Sequence, residues 1–221
     1  MSQDAAKRAV GVAAAAMVED GMRVGLGTGS TAHWFIVSLA ARARDGLRVT
    51  CTATSDASAQ LAVSHGLEVR ELGADGLDFA GDGADAVDPD LRLIKGGGGA
   101  HVREKIVAAA AERFVVLVDE SKLCETLPGW VPIEIVPFGA ERTLATLALL
   151  GGTWPLRESR SDNGNLLADG RFADPIDDPE GLAAQLDAVP GVVGHGLFLG
   201  MTDLLLVARA DGSIEERAPP R

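Results

Sequence analysis

Five short apolar runs in the first 122 residues each end in a loop of glycine, hydroxyl and acidic residues. "MRVGLG" leads into "GTGST" (27–31) and "LRVTCTATS" ends in the loop "TSDAS" (54–58). "LDFAGDGAD" closes on "GDGAD" (81–85), "LRLIK" opens "KGGGG" (95–99), and "RFVVLVDESK" carries "DESK" (119–122). Runs this short, alternating with helix-like segments, predict an α/β fold with a mostly parallel sheet flanked by helices. In such a sheet the five loops fall at the carboxyl ends of strands, along one edge, where open α/β folds bind ligands.

The helix-like segments carry their own boundaries. Residues 4–20 predict a helix ended by Gly21, "STAHWFIVSLAARAR" one capped by Ser30 or Thr31, and "DASAQLAVSHG" one with Asp56 as N-cap. Near residue 128 the pattern changes to the proline-punctuated "LPGWVPIEIVPFG", the helix "AERTLATLALLGG" and short β-like pieces. The "SDNGN" turn favours a hairpin or tight loop. These features place a smaller α+β domain at 129–203, with the larger domain taking 1–128 and 204–221 and the tail "RAPPR" loose. With 221 residues, 47% of them hydrophobic, the chain can bury a large core without staples.

Composition excludes several functions. A formal net charge of −12 argues against nucleic-acid binding through a broad basic face. No apolar run reaches transmembrane length, and the alanine-rich start carries Asp4, Lys7, Arg8, Glu19 and Asp20, unlike a signal peptide. Cys51 and Cys124 match no metal spacing and no redox pair, which fits a reduced cytoplasmic setting. His33, His65, His101 and His195 have no ligand spacing, and no metal is expected.

Each loop has an ordinary reading beside a chemical one. In "GLGTGST", Gly25 and Gly27 fit a dinucleotide fingerprint, but its sixth position is Ser30, and no P-loop Gly-Lys-Ser/Thr follows. What remains is either a tight turn or a glycine turn with Thr28, Ser30 and Thr31 at a helix start, suited to a phosphate monoester. Asp82 and Asp85 are turn formers, or two carboxylates placed for sugar hydroxyls or proton transfer. Glu104 complements a helix dipole whatever else it does. Four adjacent glycines are conformationally expensive, and flanking apolar residues make a linker a poor fit. Lys95 at the start of that run would face the rim beside backbone N–H donors.

Assembled, "GLGTGST", "DGAD" followed by "VD", "KGGGGA", "REK", "DESK", "NGN" and "PGVVGHGLF" run from residue 24 to 198 in an order that resembles type A ribose-5-phosphate isomerase. The resemblance implies a Rossmann-like main domain with a small α+β domain, a homo-oligomer (dimer or tetramer), and no cofactor. It implies interconversion of ribose 5-phosphate and ribulose 5-phosphate, within the non-oxidative pentose phosphate pathway. By match to the family motifs, Glu104 corresponds to the general base, with Asp82, Asp85 and Lys95 as catalytic partners. Thr28, Gly29, Ser30, Thr31, Asp82, Gly83, Ala84, Asp85, Lys95, Gly96, Gly97, Gly98 and Lys122 correspond to substrate-binding positions. The chain departs from the family pattern at Ala86, where glutamate is usual, and at His101-Val102, where a Leu-Thr-like pair is usual. Two other readings stay open: a non-catalytic sugar-phosphate sensor, which would carry a helix-turn-helix segment, and an acyl-CoA transferase-like enzyme, which would need a segment of CoA size.

Overall fold

The computed structural model describes residues 2–219. In order the elements are α1 (Gln3–Ala16), β1 (Arg23–Leu26), α2 (Ser30–Arg44), β2 (Thr50–Ala53), α3 (Asp56–Ser64), β3 (Glu68–Val69) and β4 (Phe79–Gly83). Then come β5 (Ala86–Val87), β6 (Leu93–Ile94), α4 (His101–Ala110), β7 (Phe114–Asp119), β8 (Trp130–Ile135), α5 (Ala140–Leu147), β9 (Leu156–Arg160) and β10 (Leu166–Arg171). The chain closes with α6 (Pro179–Asp187), β11 (Val192–His195), β12 (Leu197–Phe198), β13 (Leu204–Ala208) and β14 (Ile214–Arg217).

These elements form two units. The first holds the chain up to Ala84, Arg103–Lys122 and everything from Met201 on; the second holds Asp85–Val102 and Leu123–Gly200. Residues 85–102 therefore group with the smaller unit, where the sequence reading kept them in the larger domain. The cause is pairing: β5 and β6 join β12 in an antiparallel three-stranded sheet, and Ala86 and Ile94 enter the smaller unit's core. Arg217 of the expected loose tail closes β14, while residues 220 and 221 lie outside the described residues.

The first unit is built on a seven-stranded sheet, β14-β13-β7-β4-β1-β2-β3, parallel except for β14 at one edge. Strand order reverses direction between β1 and β4, so the topological switch point lies there. The inner strands β7 and β13 are buried on both faces, which is why they read as continuous apolar runs. On one face Val24, Leu26, Phe79, Val115 and Leu117 pack with Val10 and Ala14 of α1 and Phe35, Ile36 and Leu39 of α2. Gly11 makes the α1–α2 approach possible, since a Cβ there would sit 2.7 Å from the Phe35 backbone nitrogen. Gly25 points to the opposite face, where its missing side chain admits Val107 of α4.

The second unit pairs β11-β8-β10-β9 into an antiparallel sheet beside the three-stranded one. Its core gathers Val131, Ile133, Ile135, Leu147, Trp154, Ala168 and Leu186. The expected hairpin is present: β9 and β10 join through Ser161–Asn165, with Gly164 in left-handed conformation.

Candidate active site

Four of the five loops do lie at carboxyl ends of strands in the parallel sheet: those after β1, β2, β4 and β7. The fifth does not. β6 pairs antiparallel with β5 and β12, so "KGGGG" belongs to a separate sheet of the second unit.

In the first unit the loops after β1 and β4 meet at the switch point. Gly27 N–H donates to Gly81 O at 3.0 Å, and the Asp82 carboxylate accepts from the N–H groups of Thr28 (3.1 Å) and Gly83 (2.7 Å). Asp82 is 3% exposed. A Cβ on Gly27 would come well under 3.0 Å from the Asp82 carboxyl carbon, so glycine is required for the carboxylate to lie against this loop. The cap of α2 falls one residue before Ser30, the earlier of the two expected caps. Gly29, at φ 106°, is its N-cap, and no side chain caps it. Gly29 and Ser30 are exposed and Thr31 partly so, leaving an uncapped helix start of the kind that receives anions.

The Thr28 hydroxyl joins the loop after β2. It lies 2.7 Å from Thr54 Oγ1, donates to Ser55 Oγ at 2.8 Å and is 3.3 Å from Ser58 Oγ. Thr54 and Ser58 in turn donate to the carbonyls of Leu26 (3.1 Å) and Gly27 (2.7 Å). A hydroxyl cluster therefore locks "GTGST" onto "TSDAS". Ser55, not Asp56, is the N-cap of α3, accepting from Ser58 N–H. Asp56 instead pairs at 2.8 Å with Arg103, the residue before Glu104 on α4. Glu104 lies in the first turn of α4 and is 5% exposed.

"DESK" continues β7 into a short 3-10 turn ending at Lys122. Burial opposes the charge of Asp119. The Ser121 hydroxyl and N–H, the Gln3 side chain and nearby Lys122 outweigh it, and hold the carboxyl below its usual range.

In the second unit "KGGGG" is an ordered turn, not a linker. Gly99 N–H donates to Gly96 O at 3.0 Å, and both glycines have positive φ, at 80° and 104°. Gly97 N–H donates to Asp85 Oδ2 at 2.8 Å, and a Cβ on Gly97 would crowd Asp85 Oδ1 at 2.9 Å. The His101 ring fills the space over Gly96. Ala86, one of the departures from the family pattern, is buried in β5.

Sequence reasoning missed Arg157. From β9 its Nη1 donates to the carbonyls of Gly96 (3.0 Å) and Gly97 (3.2 Å), and its Nη2 pairs with Asp169 at 2.6 Å. Burial raises the Asp169 carboxyl, but Arg157 and the Trp130 indole N–H more than offset this, and it stays below its usual range. The "RES" of "TWPLRES" carries no local signal for this contact, which spans about sixty residues. Two quoted motifs prove to be braces. Asp88 of "VD" accepts from the N–H groups of Asp90 and Arg92 and pairs with the Arg92 side chain, closing the β5–β6 turn. Asn163 and Asn165 of "NGN" donate to buried Glu134 at 3.0 and 2.7 Å.

Neither cysteine is a candidate nucleophile. Burial pushes the Cys51 thiol up to about 12, and Cys124 is also raised by burial. Among the described residues no three or more His, Cys, Asp or Glu side chains are grouped to hold a metal ion, and no helix is long and apolar enough to cross a membrane.

Residues 50–212 match the family described as ribose 5-phosphate isomerase A (phosphoriboisomerase A). A relative of that name from Roseiflexus sp. (strain RS-1) is 50% identical over 213 residues, covering 91% of each chain. One from Methanosarcina acetivorans is 45% identical over 218 residues, covering 95% of this chain and 92% of its own. Among solved structures, ribose 5-phosphate isomerase from Plasmodium falciparum superposes with a TM-score of 0.93 at 34% identity, over 99% of this chain and 100% of that one. A D-ribose-5-phosphate isomerase in complex with phospho-erythronic acid gives 0.92 at 34% identity, over 99% and 100%. Sequence and fold agree over nearly the whole length, and the chain belongs to the ribose-5-phosphate isomerase A family.

Proposed function

We propose that this chain interconverts D-ribose 5-phosphate and D-ribulose 5-phosphate by moving one proton between C2 and C1 through an enediolate, with Glu104 as the base. The reading rests above all on the family match joined to a buried glutamate at the head of α4. Glu104 takes the C2 proton of the open aldose and returns it to C1, while the proton on the C2 oxygen moves to O1. Lys95 and the Gly96 and Gly98 amides stabilise the charge on the enediolate oxygen. Glycines suit this task because no side chain blocks the approach of the backbone. Gly97 takes the different part of orienting Asp85, which with Gly83 and Ala84 receives the sugar hydroxyls.

Asp82, aimed by two N–H groups, handles the proton transfers of ring opening. The phosphate sits at the start of α2 on Gly29, Ser30 and Thr31 with help from Lys122, and Thr28 fixes the loop that carries them. Because the net charge is negative, this hold is local rather than a bulk attraction. Phospho-erythronic acid, bound by a structural relative, supports the reading: its planar carboxylate and terminal phosphate match an enediolate and the handle of a sugar phosphate. We place the enzyme in the cytoplasm and expect a homo-oligomer.

The test is ketose formation from ribose 5-phosphate by purified protein in EDTA. Turnover with a strong preference over unphosphorylated ribose supports the proposal. Binding without turnover indicates a sensor. Within about tenfold in kcat/KM, only about 1.4 kcal/mol of discrimination, the phosphate reading fails.

A further inference from the structure

The segment "GHGLF" (194–198) has no part in the proposed chemistry, yet it encloses Lys95. In β12, Phe198 pairs with Leu93 and Leu197 with Ile94. Paired residues share a sheet face, and alternation puts Lys95, two beyond Leu93, on that same face. Lys95 Nζ lies 5.5 Å from the centroid of the Phe198 ring. Lys95 is 2% exposed and Phe198 wholly buried.

The corner before Phe198 is fixed by its own contacts. Lys95 N–H donates to Gly196 O at 2.8 Å, and Gly196 N–H to Pro132 O at 2.7 Å. A Cβ on Gly196 would come well under 3.0 Å from the Lys95 carbonyl, so only glycine lets the corner close on the Lys95 backbone. Buried His195 accepts from Leu197 N–H at 3.2 Å through Nδ1, and its Nε2 lies 3.3 Å from the Asp187 carboxylate. The backbone under Lys95 and the ring beneath its ammonium are thus set by one short segment.

We infer that Phe198 is a positioning residue for Lys95: the negative face of its ring holds the buried ammonium where the enediolate oxygen forms. An ammonium taken out of water needs compensation. A ring face contributes part of it and adds no opposing charge to the site. This inference rests on the proposed role of Lys95.

The test replaces Phe198 in the full chain with 4-fluoro-, 3,5-difluoro- and 3,4,5-trifluorophenylalanine, which weaken the ring's negative face at nearly constant shape. Phe198→Leu and Lys95→Met are measured alongside. The expected result is a stepwise fall of kcat/KM with fluorine count, reaching on the order of tenfold, while Tm stays nearly constant. Phe198→Leu should fall at least as far, and the fluorinated series decides the matter if that variant folds poorly. A flat series beside an inactive Lys95→Met overturns the role of Phe198 alone. Lys95→Met retaining more than about a tenth of wild-type kcat overturns the role of Lys95, and this inference with it.

Discussion

Gly27→Ala tests how tightly the switch-point loop and the Asp82 carboxylate are matched. The new methyl would lie well under 3.0 Å from the carboxyl carbon, and relief requires retreat to the 3.4 Å of ordinary contact. Retreat strains or breaks the bonds from Thr28 N–H at 3.1 Å and Gly83 N–H at 2.7 Å. Hydrogen bonds to a charged group contribute about 1.5–3 kcal/mol, and overpacking costs about 1–3 kcal/mol. Partial relaxation leaves an expected loss of about 2–4 kcal/mol in stability. Displacing a reacting group by about 1 Å costs roughly 10²-fold in rate, so kcat should fall by that order. The controls separate this from simple backbone strain. Gly29 and Gly46 both have φ near +106° with nothing within 4 Å of an added Cβ. Gly46→Ala should cost about 1–3 kcal/mol of stability and leave kinetics alone. Gly29→Ala should add a rise in KM, because it starts α2. The assay is ketose formation with Tm measured in parallel. Gly27→Ala with kcat within about threefold of wild type would refute the argument, since the carboxylate would then not need its present place.

Three further outcomes are expected. Arg157→Met should lower kcat by about tenfold and also lower Tm, because it frees the Gly96 and Gly97 carbonyls and strands the largely buried Asp169; unchanged kcat would show that the glycine turn holds itself. Ser58→Ala should raise KM for ribose 5-phosphate more than it lowers kcat, since it removes a brace of the Gly27 carbonyl rather than a reacting group, and a selective loss of kcat would count against that reading. The Arg23 guanidinium and N–H hold the Asp78 carboxyl down at about 2. A carboxyl depressed on folding stabilises the native state above its unfolded value near 4 and loses that contribution as pH falls towards 2. The Tm gap between wild type and Asp78→Asn should therefore shrink from pH 5 to pH 2, and a gap that is constant or widens would contradict the pairing.

The inner parallel strands were legible because both faces are buried, so apolar runs stand out against the polar loops that end them; the exposed edge strand β3 gave no such run. The glycine run was legible as a site but not in its place. β6 has only two residues, and its partners β5 and β12 lie on either side of it in the chain, the latter about a hundred residues on. Nothing within the run says whether it pairs parallel or antiparallel. Helix starts slipped by one residue for a similar reason. At α2 and α3, several adjacent residues can cap; Gly29 at positive φ takes the first position, and Ser55, bonded to Thr28 and Ser58, takes the second. Thr28 was legible as one of three hydroxyls at a helix start, whereas its cluster with Thr54, Ser55 and Ser58 joins two loops that are far apart in sequence. Arg157 and Phe198 act across long sequence separations on backbone and ring faces, contacts for which one sequence holds no local pattern.

The central claim is that Glu104 moves the proton, and the most direct measurement is kcat of Glu104→Gln on ribose 5-phosphate. The exchange is nearly isosteric, so Tm and ligand binding should change little. Loss of a general base should cost roughly 10²-fold or more. Retention of more than about a tenth of wild-type kcat in a folded variant would contradict the account, and place the base elsewhere.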